Sequence, residues 1–184
     1  YLFHAMFSIM LFSMVFVMYP KAQVSANRIM EVLNTEPIIK SPKNGIKDTE
    51  NKGTIEFENV SFTYPNGEEP VIKDVSFSGK KGEVIAFIGS TGSGKSTLIN
   101  LIPRFYDVTK GSIKIDGVDV RDYDLKYLRE KIGFIPQKTL LFTGSIANNI
   151  KFGKKDAEYK EVEDSAKIAQ AYEFISNKPN KFDE

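Results

Sequence analysis

Gly89, Ser90, Thr91, Gly92, Ser93, Gly94, Lys95 and Ser96 run consecutively and match G-x-x-x-x-G-K-[ST] at every fixed position. An unbroken apolar run at 84–88 precedes them, and residues 96–102 read as a helix. This is the strand–loop–helix setting in which the pattern works, with the strand covered on both faces. The glycines let the backbone curl so that successive N–H groups point inward around phosphates. The helix that follows adds its free N–H groups and the positive end of its dipole. Lys95 can then reach the β- and γ-phosphates of a nucleotide. The Ser96 hydroxyl can ligate Mg²⁺ at about 2.0–2.1 Å. Thr97 is placed as a partner of the α-phosphate. The loop alone does not choose among ATPases, GTPases and kinases.

Charge and composition narrow the classes. Lysine plus arginine number 25 against 24 aspartate plus glutamate, so no global basic field points to nucleic acid. Cysteine is absent, which removes disulfides and thiolate metal sites. A single histidine, His4, excludes zinc sites built from several histidines.

The charge balance conceals a sharp internal shift. Residues 2–18 are apolar except for His4, Ser8 and Ser13. Seventeen helical residues reach roughly 25 Å, slightly short of the ~30 Å hydrocarbon layer. The run therefore reads as the end of a membrane helix. A signal peptide would carry a basic leading region, and none is present. A buried soluble helix is the competing reading. Tyr19 suits the interface, and Lys21 and Arg28 follow on one side, which places the remainder in the cytoplasm. Residues 20–34 predict a further helix, with Ala22, Ala26, Ile29 and Leu33 on a narrow apolar face. Pro37, Pro42 and Gly45 then mark a linker.

Beyond the linker the pattern is mixed α/β. Ile55 and Phe57 alternate with polar residues, and Val60, Phe62 and Tyr64 alternate after a phase slip that predicts a bulge or bend. Asn66-Gly67 predicts a turn, and 71–77 a strand. Ile113 and Ile115 mark a short strand, 125–131 a helix, and 132–135 a second buried strand. Ser145 is placed to cap a short helix. Residues 156–175 predict one longer helix with Val162, Ala166 and Ala169 on a stripe.

Several strings flank the phosphate loop in order. Before it come Val60-Ser61-Phe62-Thr63-Tyr64-Pro65 and Gly82-Glu83. After it come the stretch from Gly111 to Gly117, then Leu128-Arg129, Ile135-Pro136-Gln137 and Leu141-Phe142-Thr143-Gly144-Ser145-Ile146. Together with the loop this series resembles an ABC-transporter nucleotide-binding domain over about 53–178. The Leu-Phe-x-Gly-Ser-Ile segment resembles exporters, in which membrane and nucleotide domains share a chain. The resemblance implies an α/β fold of the P-loop NTPase type, present in part, with a membrane-helix remnant before it. The divisions are 1–19 for the membrane helix, 20–52 for the linker helix and connector, and 53–184 for the nucleotide domain.

The resemblance also assigns roles. Tyr64 matches the aromatic that stacks on adenine, and Ile72 would add an apolar contact to the base. Gln137 matches the glutamine that approaches Mg²⁺ and the attacking water, so Lys95 and Gln137 are the catalytic candidates and Ser96 and Gln137 the metal candidates. Asp116 ends a short strand, as a metal-binding aspartate would, but Lys114 interrupts the apolar run and the family has a surface turn here. Gly79 stands where an apolar strand residue is common, which suggests a bend. The family continues into a Leu-Ser-Gly-Gly signature, an Asp-Glu strand end and a switch histidine, and no Ser-Gly-Gly string occurs here. The expectation is the amino-terminal part of an exporter's ATP-binding domain, using ATP and Mg²⁺. Its implied partners are a second nucleotide-binding domain in a homodimer or heterodimer, a transmembrane domain of the same chain, and the membrane. The sequence alone is expected to bind ATP without turnover. The alternative is a regulatory module that binds nucleotide without transport or hydrolysis. A soluble kinase or GTPase fits neither the membrane run nor Tyr64 and Gln137.

Overall fold

The computed structural model describes residues 1–50 and 52–184. Its chain falls into two compact units, Tyr1–Gly133 and Phe134–Glu184.

The first unit opens with α1, Leu2–Leu33, a single helix of 32 residues that runs through Pro20. The apolar run and the predicted linker helix are thus one element, exposed along its whole length. It is the one helix among the described residues long and apolar enough to cross a membrane. At its end Thr35 donates its hydroxyl to Glu31 O at 2.7 Å. Pro37 follows, where a helix is disfavoured at the preceding residue.

Four strands form one antiparallel sheet in the order β2-β1-β3-β4. They are β1 (Ile55–Phe62), β2 (Ile72–Gly79), β3 (Lys110–Ile115) and β4 (Val118–Asp119). The phase slip read in β1 is a bulge. Register shifts flank Val60 against β2, and Asn59 sits at φ 47°. The extra residue brings Phe57, Val60 and Phe62 to one face, all at most 2% exposed, although 57 and 60 differ in parity. The Ser76 hydroxyl fixes the bulge by accepting from Asn59 N at 2.8 Å and donating to Asn59 Oδ1 at 3.0 Å. The turn after β1 closes with Gly67 N donating to Tyr64 O at 2.8 Å.

Two helices cover the sheet's apolar face: α2 (Lys95–Leu101) through Leu98 and Leu101, and α3 (Leu125–Glu130) through Leu128. Asp124 caps α3 by accepting from Lys126 N and Tyr127 N. The apolar runs at 84–88 and 132–135 do not form the predicted buried strands. Val84, Ile88 and Ile135 are more than nine-tenths exposed. A parallel strand needs ladder partners beside it and helices on both faces, and the run at 84–88 has no ladder partner among the described residues. Gly79 remains in β2 opposite Ile55. A Cβ there would meet Ile85 Cδ1 at 2.7 Å, so the glycine admits the Ile85 side chain.

The second unit holds α4 (Ile146–Ile150), α5 (Tyr159–Ile168) and α6 (Tyr172–Ser176) around Ala147, Val162, Ala166, Ile175 and Phe182. Ser145 caps α4, accepting from Asn148 N at 3.1 Å. The single helix predicted over 156–175 is instead two. It starts late because Glu158 and Glu161 form a capping box. It breaks because Gln170 turns to φ 57° and Ala171 N reaches back to Ala166 O at 2.8 Å. That bond defines a Schellman end, and it leaves Ala169 exposed.

Candidate nucleotide-binding site

The phosphate loop descends onto the start of β2. Gly94 caps α2 in the left-handed region, at φ 85°. A Cβ on Gly94 would lie 2.8 Å from Ile72 Cδ1 and 3.2 Å from Val71 O, so only glycine lets the loop settle this close. Leu98 N donates to Gly94 O at 2.9 Å, the first helical bond of α2, which leaves the preceding amides unpaired by the helix.

Lys95 is folded back into its own loop. Its ammonium donates to Gly89 O at 2.8 Å, to Ser90 O at 2.7 Å and to Ser93 Oγ at 3.2 Å. All three N–H donors of the ammonium are thus engaged within the loop. The Ser96 hydroxyl is exposed and makes no hydrogen bond among the described residues. A hard cation favours such an oxygen, so Ser96 fits Mg²⁺ coordination. Ser90, Thr91, Gly92 and Ser93 are exposed.

Tyr64 is brought to the same helix. Its hydroxyl lies 3.0 Å from Thr97 Oγ1, and its ring meets Phe62 and Tyr106 edge-on at 4.8 and 5.2 Å between centroids. Thr97 is 8% exposed, so this bond is shielded from water. Ile72 is 5% exposed and packs into the core, whereas Val71 beside it is 41% exposed. Gln137 is exposed and belongs to the second unit, so it is not gathered with Lys95 within one unit.

Asp116 is occupied elsewhere. Asp116 and Gly117 both take positive φ, 53° and 82°, between the paired residues Ile115 and Val118. This is a two-residue hairpin of the I′ kind. The Asp116 carboxylate sits 2.9 Å from Lys131 Nζ and accepts from Thr54 N at 3.1 Å. Burial pushes its pKa up, but the Lys131 bond and the backbone amides outweigh that and hold it below 3.8. The turn expected in place of a metal ligand is what the chain forms.

Asn180-Lys181-Phe182-Asp183 has the N-K-x-D form associated with guanine recognition. Here it forms a short 3-10 turn whose Phe182 is 2% exposed in the second unit's core, against Tyr159 and Tyr172. The string serves packing.

A family model described as ABC transporter matches residues 72–182, more than half of the chain. The chain belongs to the ABC transporter family. A Bacillus subtilis protein provisionally named multidrug export ATP-binding/permease protein YgaD is 43% identical over 159 residues, 86% of this chain and 27% of that protein. Heavy metal tolerance factor 1 of Caenorhabditis elegans is 40% identical over 171 residues, 93% of this chain and 21% of that protein. A solved structure, described as a bacterial Atm1-family ABC exporter with ATP bound, superposes with a TM-score of 0.85 at 30% identity, covering 93% of this chain and 30% of that one. The chain thus spans less than a third of the length of these ABC relatives. Their likeness supports the nucleotide-binding-domain fold and the exporter resemblance read from the motifs.

Proposed function

We propose that this chain is the ATP-binding part of an ABC exporter that couples ATP binding and hydrolysis to transport across a membrane. One observation carries the reading: the Lys95 ammonium is held at the loop by Gly89 O and Ser90 O, and Tyr64 is bonded to Thr97 of the helix that continues that loop. A triphosphate would then lie along residues 89–97, with its base at Tyr64. Stacking on a ring reads the π-face more than a hydrogen-bond pattern, so purine triphosphates should compete with one another. The exposed Val71, in place of the buried Ile72, would supply the apolar contact to the base.

Magnesium, bound through Ser96, would neutralise phosphate charge. The chain's own residues supply the rest: loop amides and Lys95 hold phosphate oxygens, and Gln137 would place water. Among the described residues no group of three or more His, Cys, Asp or Glu side chains gathers as a metal cluster. The chain by itself is proposed to bind Mg-ATP with negligible turnover. Residues 2–18 would span the bilayer, with Lys21 and Arg28 on the cytoplasmic side. A second nucleotide-binding domain and a transmembrane domain would be its partners.

Equilibrium dialysis of the chain against labelled Mg-ATP tests the core of this reading. Saturable binding that Lys95→Ala weakens is expected. Binding that is absent, or indifferent to Lys95, would overturn it.

A further inference from the structure

The far end of α2 carries an unusual residue. Three residues past the helix, Arg104 takes φ 54° and is 7% exposed. The left-handed region costs a non-glycine residue roughly 1–2 kcal/mol. Such a conformation persists where its surroundings over-determine it, and here two arginines do so. Arg129 of α3 donates from Nε to Pro103 O and from Nη2 to Arg104 O, both at 3.2 Å. Its guanidinium stands 5.4 Å from the centroid of the Phe105 ring. Arg129 therefore holds the carbonyls that leave α2.

The Arg104 guanidinium reaches outward from that point. Nε and Nη2 bind the two oxygens of Asp107 at 2.7 and 3.1 Å. Nη1 donates to Arg121 O at 3.3 Å and to Lys40 O at 3.4 Å. Lys40 belongs to the connector between α1 and the sheet. Further along, the connector is strapped to the same region: Ile46 N donates to Asp122 O at 2.9 Å, and Asp124 N donates to Ile46 O at 3.0 Å. The Ser41 hydroxyl donates to Asp124 Oδ2 at 3.2 Å and accepts from Leu125 N at 2.9 Å. One buried cation thus touches the exit of the phosphate-loop helix, the segment after β4 and the connector.

We propose that Arg104 is a positioning residue that couples the phosphate-binding helix to the connector. The seven residues of α2 form one continuous helix. Phosphate captured at Lys95 pulls on its first turn, and the displacement appears at Pro103 and Arg104. The planar guanidinium passes it to the Lys40 carbonyl. A lysine could not serve Asp107, Arg121 and Lys40 together, because its ammonium is a point charge without the fixed fork. The inference rests on residues 89–97 being a nucleotide site.

Hydrogen exchange of the whole chain with and without Mg-ATP, beside dialysis of labelled ATP, tests the coupling. In the unsubstituted chain nucleotide should shift exchange of amides 38–47 by about threefold or more. Arg104→Gln should speed that exchange about tenfold and abolish the nucleotide response, while ATP binding stays within about threefold. Residues 55–62 should be unchanged, and Arg104→Lys should restore part of the protection. If Arg104→Gln unfolds the sheet, which faster exchange at 55–62 would reveal, Asp107→Asn carries the test with the same changes in reduced size. Connector exchange that ignores nucleotide while ATP binds overturns the proposal, and so does a normal response in Arg104→Gln. Absence of ATP binding in the dialysis sinks the nucleotide-site reading and the coupling with it, and is thereby told apart from failure of the arginine contact alone.

Discussion

The Tyr64 hydroxyl and the Thr97 hydroxyl lie 3.0 Å apart, so the ring two residues past β1 is tied to the first turn of the phosphate-loop helix. A hydroxyl donates one hydrogen bond and accepts two. If Tyr64 donates, the proton on Thr97 stays free for a phosphate oxygen. The proposed base platform and phosphate cradle would then be held together by this bond.

That linkage separates the two halves of Tyr64. Tyr64→Phe keeps the ring and loses the bond, and should weaken ATP binding by about 0.5–1.5 kcal/mol. Tyr64→Ala loses the ring as well and should cost about 1–3 kcal/mol more. Loss of the ring should not matter to inorganic triphosphate, which carries no base. Titrating both variants with ATP and with triphosphate checks this. Equal losses for the two ligands would remove Tyr64 from base recognition.

In the proposed binding mode Lys95 would face the phosphates farthest from the base. Lys95→Ala should weaken ATP binding about 10- to 100-fold, as expected for loss of charge-assisted hydrogen bonds. AMP should change less than about threefold. A parallel fall for both nucleotides would move Lys95 away from the β- and γ-phosphates.

The Asp116–Lys131 pair predicts a pH profile. The Asp116 pKa is depressed in the folded state, so its contribution is present above 3.8 and is lost as pH falls through the folded value. The Lys131 pKa is raised, chiefly by its bond to Asp116. Its contribution is full below 10.5 and is lost as pH rises through the folded value. Between these edges the pair should add no pH dependence. Asp116→Asn leaves the nearly buried Lys131 ammonium uncompensated and should cost about 3 kcal/mol, seen as a lower urea midpoint. An unchanged midpoint at neutral pH would show that the pair contributes nothing.

Gln170 pays a backbone cost at the end of α5. At φ 57° it holds a position that glycine takes without penalty. Gln170→Gly should stabilise the second unit by about 1 kcal/mol, read as a higher urea midpoint. A drop of that size would mean that the glutamine side chain holds the α5–α6 junction.

What could be read beforehand followed from local rules. The loop 89–96 was legible because G-x-x-x-x-G-K-[ST] names backbone geometry as well as chemistry. The bulge in β1 was legible because Phe57 and Val60 break the period of two. The Ser145 cap was legible from residue type. The α5–α6 break was hidden because glutamine, not glycine, occupies the left-handed position. The state of 84–88 was hidden because an apolar run states a preference for burial and does not supply the neighbouring strands. The Arg104 contacts were invisible because they join residues 40, 107 and 121, which no periodicity links.

The unpaired run at 84–88 has a consequence for the chain in solution. Val84-Ile85-Ala86-Phe87-Ile88 is five residues of high strand propensity with no charge and no proline, and its two ends stand almost fully exposed. Such a stretch presents open amides and carbonyls as a template for another chain. Cross-β association between copies should therefore begin here, and charged Lys80, Lys81 and Glu83 just ahead of it act as the gatekeepers that slow it.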